Sequence, residues 1–283
     1  MRFLSLVHGV SLLVCACVIL MISHAVGSPG SFLSYTADDG FIWRVIRRLE
    51  DTHAREDKME RKTKGATDDA MARKCEDPLM LDKRLKNLGF KKFEGGTDRV
   101  EFENEMTLAR EVNARAICQT GFNTGTSALA FLCTHEATRV FFFDLGAHGY
   151  VKDSGNHLKS LFGQDRVQLF LGNSQKTLRK AIEAGGVEPG VLCDFAFVDG
   201  GHSFDIAMSD IIHFRNLTKP NSRIVVENCN VDGRVCGYGG MAAVNEAYRV
   251  SVKRGIVAHN KQISTQCGQC DQKCRELCIG TYT

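Results

Sequence analysis

Five short apolar segments recur through the middle of this chain, and their spacing constrains the fold more than any other feature. They cover 114–118, 139–144, 166–171, 193–199 and 222–227, with segments of helical character between them at 126–133, 152–162, 175–184 and 204–214. One helix per strand-to-strand step of roughly 25–30 residues predicts βαβ units and a parallel sheet. Val140-Phe141-Phe142-Phe143 and Phe195-Ala196-Phe197-Val198 are continuously apolar, as strands buried on both faces should be. The expected class is α/β: a Rossmann-like, doubly wound, mainly parallel sheet with helices on both faces. A last helix over 241–250 and a strand pair over 255–265 complete the expectation, and no internal repeat is visible.

Around this core the chain changes character. Arg2 precedes a mostly apolar run over 3–22, and Ala25-Val26-Gly27 then supplies small residues. Residues 1–27 read as a secretory signal cleaved after Ala25 or Gly27, or as a retained signal-anchor tethering the chain through 3–23. Either reading delivers the rest to the secretory pathway, as an ER or Golgi membrane protein with a luminal domain or as a secreted one. Residues 28–75 read as a stem, with a short amphipathic helix over 39–49 and a charged stretch over 50–74 that is helical or disordered. Lys and Arg number 36 against 33 Asp and Glu, for a net charge of +3, which does not indicate a nucleic-acid partner. Asn216-Leu217-Thr218 is a glycosylation sequon.

In doubly wound sheets ligands bind beyond the carboxyl ends of the strands, near the switch point. Here those ends carry Gln119-Thr120-Gly121-Phe122-Asn123-Thr124-Gly125-Thr126-Ser127, then Phe143-Asp144-Leu145-Gly146, Gly172-Asn173-Ser174, Val198-Asp199-Gly200-Gly201-His202-Ser203-Phe204, and Glu227-Asn228. The glycines of the first turn would let a ligand approach the backbone, and a helix opening at Thr126 would face it with free N–H groups. Asp144 has the chemistry to accept ribose hydroxyls, or to serve only as a turn residue. Asn173 and Ser174 would equally cap the next helix. Gly200–Ser203 would equally be a turn and cap, and Asp205 and Asp210 are expected to face solvent or cap neighbours.

With four motifs in this order, the stretch over 99–255 resembles the class I S-adenosylmethionine-dependent methyltransferases, of the small-molecule and sugar O-methyltransferase type with a D-G-x-H fourth strand. The resemblance implies a methyltransferase-like domain over 76–266 that binds S-adenosylmethionine. Gln119, Gly121, Asn123, Gly125 and Ser127 would surround the methionine part, and Asp144 would hold the ribose. Asn173 and Ser174 would face the adenine, with Asp199 beside the donor. It implies His202 as general base, assisted by Asp199, and Mg²⁺ held by Asp199, Glu227 and Asn228 through hard oxygen ligands. The acceptor would be a small molecule or a glycan sugar carrying a hydroxyl. Gln119 and Asn173 depart from the family, which usually has an acid at the first position and often an aspartate at the second. They keep open a catalytically degenerate binding module. Nicotinamide or nucleotide-sugar chemistry lacks its G-x-G-x-x-G signature.

Twelve cysteines complete the sequence. Cys15 and Cys17 fall in the apolar segment, and Cys118, Cys133 and Cys193 in core elements, where they are expected to be reduced packing residues. Cys75, Cys229, Cys236, Cys267, Cys270, Cys274 and Cys278 remain, an odd number. In the cysteine-rich tail over 267–283, secretory context favours disulfides over a zinc half-site, with Cys229, Cys236 and Cys75 as partners. A bridge from the tail to Cys229 or Cys236 would clamp the loop after the fifth strand.

Overall fold

The computed structural model describes residues 48, 51–56, 58–59, 69–94, 96–229, 241–264 and 276–283. The chain divides into two units, Met1–Thr63 and Lys64–Thr283. In the first, residues 51–56 are helical and exposed. The apolar N-terminal segment and the helix expected over 39–49 lie outside the described residues, apart from Arg48 within the latter. Among the described residues no helix is long and apolar enough to cross a membrane.

The second unit begins with helical residues 69–75, followed by α1 (Met80–Asn87) and α2 (Arg99–Glu111). Alternating elements come next: β1 (Ala116–Thr120), α3 (Thr126–Leu132), β2 (Arg139–Asp144), α4 (Gly149–Phe162), β3 (Val167–Leu171), α5 (Ser174–Glu183), β4 (Cys193–Val198), α6 (Phe204–Leu217) and β5 (Thr218–Glu227). The unit closes with α7 (Met241–Lys253), β6 (Val257–Ser264) and β7 (Glu276–Tyr282). The seven strands form one sheet in the order β3-β2-β1-β4-β5-β7-β6. β1 to β5 pair in parallel, whereas β7 runs antiparallel to both β5 and β6.

Period-two alternation distributes the core. Ile117, Val140, Phe142, Phe195, Phe197 and Val225 face one layer with α1 to α4. Ala116, Cys118, Phe141, Phe143, Ala196, Val198, Ile224 and Val226 face the other, with α5 to α7. β1, β2, β4 and β5 therefore bury both faces, which is why their central residues are apolar without a polar side. α2 begins with a reciprocal capping box between Asp98 and Glu101, satisfying two of the N–H groups a helix start leaves open.

Two expectations change here. The strand pair expected over 255–265 is a single strand, β6. Its partner is β7, drawn from the stretch read as a cysteine-rich tail, and β7 is an interior strand of the sheet. The alternating apolar residues Leu277 and Ile279 on one face and Cys278 on the other meet both layers. A seven-residue strand among cysteines offers too little sequence to reveal that.

The cysteines of the core elements are not reduced. Cys118 bonds Cys193, with Cα atoms 5.9 Å apart, and Cys133 bonds Cys75, also at 5.9 Å. Both separations suit a disulfide. Burial of a cysteine is equally compatible with packing as a thiol and with bonding, and only the distance between two of them decides. Cys229 bonds Cys278, the predicted link between the tail and the loop after β5. Cys236, Cys267, Cys270 and Cys274 lie outside the described residues, as do Cys15 and Cys17.

Candidate active site

β1 and β4 are neighbours, and the chain crosses outward from them in opposite directions. At that switch point a cavity of about 570 Å³ opens beyond the carboxyl ends of the strands, within the range that holds small molecules and cofactors.

The turn after β1 is shaped by backbone contacts first. Gly121 has φ +78°, and a Cβ there would run into the carbonyl oxygen of Asp199. Its bare backbone lets the ends of β1 and β4 close on one another. Gly125, at φ +90°, does not line the cavity. A Cβ there would lie 2.7 Å from Cζ of Phe122, so this glycine makes room for a core ring rather than for a ligand. Gln119 is also off the cavity wall. It is fully buried, and its amide donates to the Gly121 carbonyl at 2.6 Å and to Ser127 Oγ at 2.7 Å. The carbonyl partner can only accept, which settles the orientation of the amide. Ser127 accepts from Gln119, so its own O–H is left to donate, and the residue lines the cavity. Gln119 thus sets the hydrogen-bond direction of its neighbour.

Asp144, at the end of β2, receives three backbone N–H groups: Phe122 at 2.8 Å and Asn123 at 3.3 Å on one oxygen, Gly146 at 2.7 Å on the other. The carboxylate ties the first turn to the second and keeps lone-pair capacity toward the cavity it lines. Asn173 caps α5, its oxygen accepting from Gln175 N at 2.9 Å, which leaves its NH₂ to donate, and the residue lines the cavity. Ser174 lines the cavity beside it. The capping and ligand-facing readings of Asn173 are therefore compatible.

Across the cavity stand Asp199, His202, Glu227 and Asn228. Ser203 caps α6 by accepting from Ile206 N at 3.4 Å, and His202 sits just before it, exposed. Its Nε2 lies 3.4 Å from Nδ2 of Asn228, which has left-handed backbone at φ +56°. Glu227 ends β5 and is buried. Two residues on, Cys229 donates its backbone N–H to Glu276 O at 3.1 Å and is bonded to Cys278. Among the described residues no group of three or more His, Cys, Asp or Glu has a metal-holding arrangement. The oxygen donors brought together are Asp199, Glu227 and the Asn228 amide.

One wall was not visible in the sequence. Glu94, Gly96 and Thr97, on the strap leading into α2, line the cavity together with His148. The strap is held at three points: Asn123 donates to the Glu94 carbonyl, Glu94 N donates to Tyr150 Oη at 3.3 Å, and the Glu94 carboxylate meets His148 Nε2 at 3.0 Å. His148 stacks on Tyr150 with ring centroids 5.0 Å apart. Burial, ahead of the nearby carboxylates, pushes the Tyr150 phenol up, so it remains a neutral acceptor for the strap. No sequence periodicity marks this loop; the Asn123 side chain, counted with the first turn, was its one indirect signal.

A second correction concerns Asp210. It lies on the inner face of α6, fully buried, rather than facing solvent or capping a neighbour. Asn216, by contrast, is exposed at the end of the same helix.

Comparison with known proteins accords with this geometry. Residues 118–229 match the model of a methyltransferase domain. No protein of curated function matches the sequence. Among solved structures, an O-methyltransferase from Bacillus cereus in complex with S-adenosylhomocysteine superposes with a TM-score of 0.56 at 15% identity, over 72% of this chain and 90% of that one. An O-methyltransferase from Streptomyces achromogenes involved in tomaymycin synthesis, solved with S-adenosylmethionine, gives 0.53 at 17%, over 76% and 90%. A methyltransferase from Podospora anserina bound to S-adenosylhomocysteine gives 0.52 at 16%, over 91% and 100%. At these identities the likeness is one of fold.

Proposed function

We propose that this chain, which carries a methyltransferase domain at 118–229 on a class I methyltransferase fold, is an S-adenosylmethionine-dependent O-methyltransferase. The observation that carries the reading is that Ser127, Asp144 and Asn173 line one side of a single cavity, and His202 lines the other. The residues suit the donor: a serine hydroxyl left free to donate for its carboxylate, a carboxylate with remaining acceptor capacity for its ribose, and a free amide NH₂ for its adenine.

When bound, the donor supplies a methyl group made electrophilic by a sulfonium. The chain's part is to orient and deprotonate. Asp144 and the turn over 121–127 position the donor, and Gly121 keeps that turn closed against β4. His202, exposed to the cavity and bonded only weakly to Asn228, takes the acceptor's hydroxyl proton, and the oxygen attacks in line. Holding the reactants in that geometry supplies much of the acceleration. Asp199 stands beside this centre. Asp199, Glu227 and Asn228 would hold a Mg²⁺ ion, which would lower the pKa of a bound hydroxyl.

The finer reading is a luminal or secreted enzyme acting on a hydroxylated small molecule or a glycan sugar. Three disulfides among the described residues support the compartment, as do the apolar N-terminal segment and the sequon at Asn216. Calorimetry with S-adenosylmethionine and S-adenosylhomocysteine, with and without Mg²⁺, tests the donor. A labelled methyl donor with a panel of hydroxylated acceptors tests the reaction. Absence of binding would replace this reading with that of a binding module on the same fold.

A further inference from the structure

Beneath the floor of the cavity lies a carboxylate that the reaction described above does not use. Asp210 is fully buried on α6, and neither of its oxygens has a hydrogen-bond partner. It lies directly under two cavity-lining residues. A Cβ on Gly200 would be 3.0 Å from Asp210 Oδ2 and 3.2 Å from Thr120 Oγ1, so only bare glycine backbone separates the carboxylate from the space above. Thr120 Oγ1 is itself buried and unpartnered. The hydroxyls of Ser174 and Thr120 are its polar neighbours and favour its ionised form. Burial dominates and pushes its pKa up to about 6, with the two hydroxyls pulling the other way. The group is therefore mainly ionised at neutral pH.

The other acids at the cavity are engaged. Asp144 holds three backbone N–H groups, Glu94 is paired with His148, and Asp199 and Glu227 each interact with other groups. An ionised carboxylate buried with neutral hydroxyls and no cation to offset it is costly. Such a group is retained at no net loss if a bound cation offsets it. Methyl transfer changes the donor's charge at this location: the C–S bond breaks with its electrons going to sulfur, the acceptor oxygen takes the methyl group, and the base takes the proton. The cationic sulfonium becomes a neutral thioether.

We infer that Asp210 is a charge-discriminating residue for the cofactor, holding the sulfonium form more tightly than the demethylated product through the cavity floor. This rests on the S-adenosylmethionine reading. Asp210 does not touch the ligand. It acts through Gly200 and Thr120 as a positioning charge, favouring substrate loading and product release.

The test is titration calorimetry of S-adenosylmethionine and S-adenosylhomocysteine into the full chain and its Asp210→Asn and Asp210→Ser variants at pH 7.5, with thermal melts of each without ligand. Removing the charge should weaken S-adenosylmethionine roughly tenfold and leave S-adenosylhomocysteine unchanged, while the ligand-free Asp210→Asn melts at the same or a higher temperature. Equal weakening of both ligands with a lowered melting temperature would assign Asp210 a purely structural role and overturn the inference, as would unchanged affinity for both. If Asp210→Asn fails to fold, Asp210→Ser reads the same ratio; failure of both variants to fold would also mark the residue as structural and overturn the inference. If the unaltered chain binds neither ligand, the cofactor reading itself fails, an outcome distinct from all of these.

Discussion

The two sides of the cavity are built differently. On the β1–β3 side every implicated side chain is already committed: Gln119 to Gly121 and Ser127, Asp144 to three backbone N–H groups, and Asn173 to the start of α5. On the β4–β5 side His202 is exposed, with a single long approach to Asn228 at 3.4 Å. The first side is preorganised for one ligand of set shape. On the proposed reading, the second keeps His202 free to meet an acceptor. A site that serves one donor and a separate acceptor gains from that asymmetry, because rigidity lowers the cost of binding the donor while the base must be able to reach a proton.

The comparison breaks most severely at Gly121. Gly121→Ala places a Cβ against the Asp199 carbonyl at positive φ, and should cost roughly 4 kcal/mol or more of stability, read by urea unfolding, with donor binding lost. His202→Ala addresses the other side alone. Turnover should fall roughly 10²–10⁴-fold while calorimetric affinity for the donor stays as it was; equal loss of both would erase the distinction between the two sides.

The Cys229–Cys278 bond sharpens the comparison further. It braces the loop that presents Glu227 and Asn228 against β7. Replacing both cysteines by serine should cost about 2–4 kcal/mol in denaturant unfolding. It should lower kcat more than it changes donor affinity, because the loosened loop belongs to the acceptor side.

The smallest effect concerns pH. Burial pushes Asp210 up to about 6 from the ordinary carboxylate value of 3.8, so the native state binds the extra proton between those values. Stability from this group is therefore highest below pH 4 and is lost as pH rises from there through 6, by about 3 kcal/mol. Tyr282 on β7, whose phenol burial pushes well up, shares its surroundings and stays neutral across that window. Melting temperatures of the unaltered chain and Asp210→Asn across pH 4–8 should converge at the acid end and separate in favour of the variant at the neutral end.

Much of this was legible from local pattern. The strands at 139–144 and 193–198 and the helices after them follow from apolar runs and caps such as Ser203, which act within a few residues. Most of the cavity lining was legible because the topology places every parallel strand's carboxyl end at the same edge. Gly125 and Gln119 were misplaced because a glycine or amide in a turn looks the same whether it serves a ligand, a phenylalanine ring or a neighbouring serine. Asp210 was misjudged because one acid in an amphipathic helix carries no mark of which face it occupies once the sheet beneath is fully apolar.

The α/β alternation, the two-faced burial of the central strands and the order of the polar residues at their ends follow from periodicity and chain order alone. Only the tertiary structure decided which cysteines are bonded, that residues 276–282 complete the sheet, that a strap at Glu94 walls the cavity, and that a buried charge lies beneath Gly200. Each of those depends on a distance between residues far apart in the chain, and such distances exist only after the layers have packed.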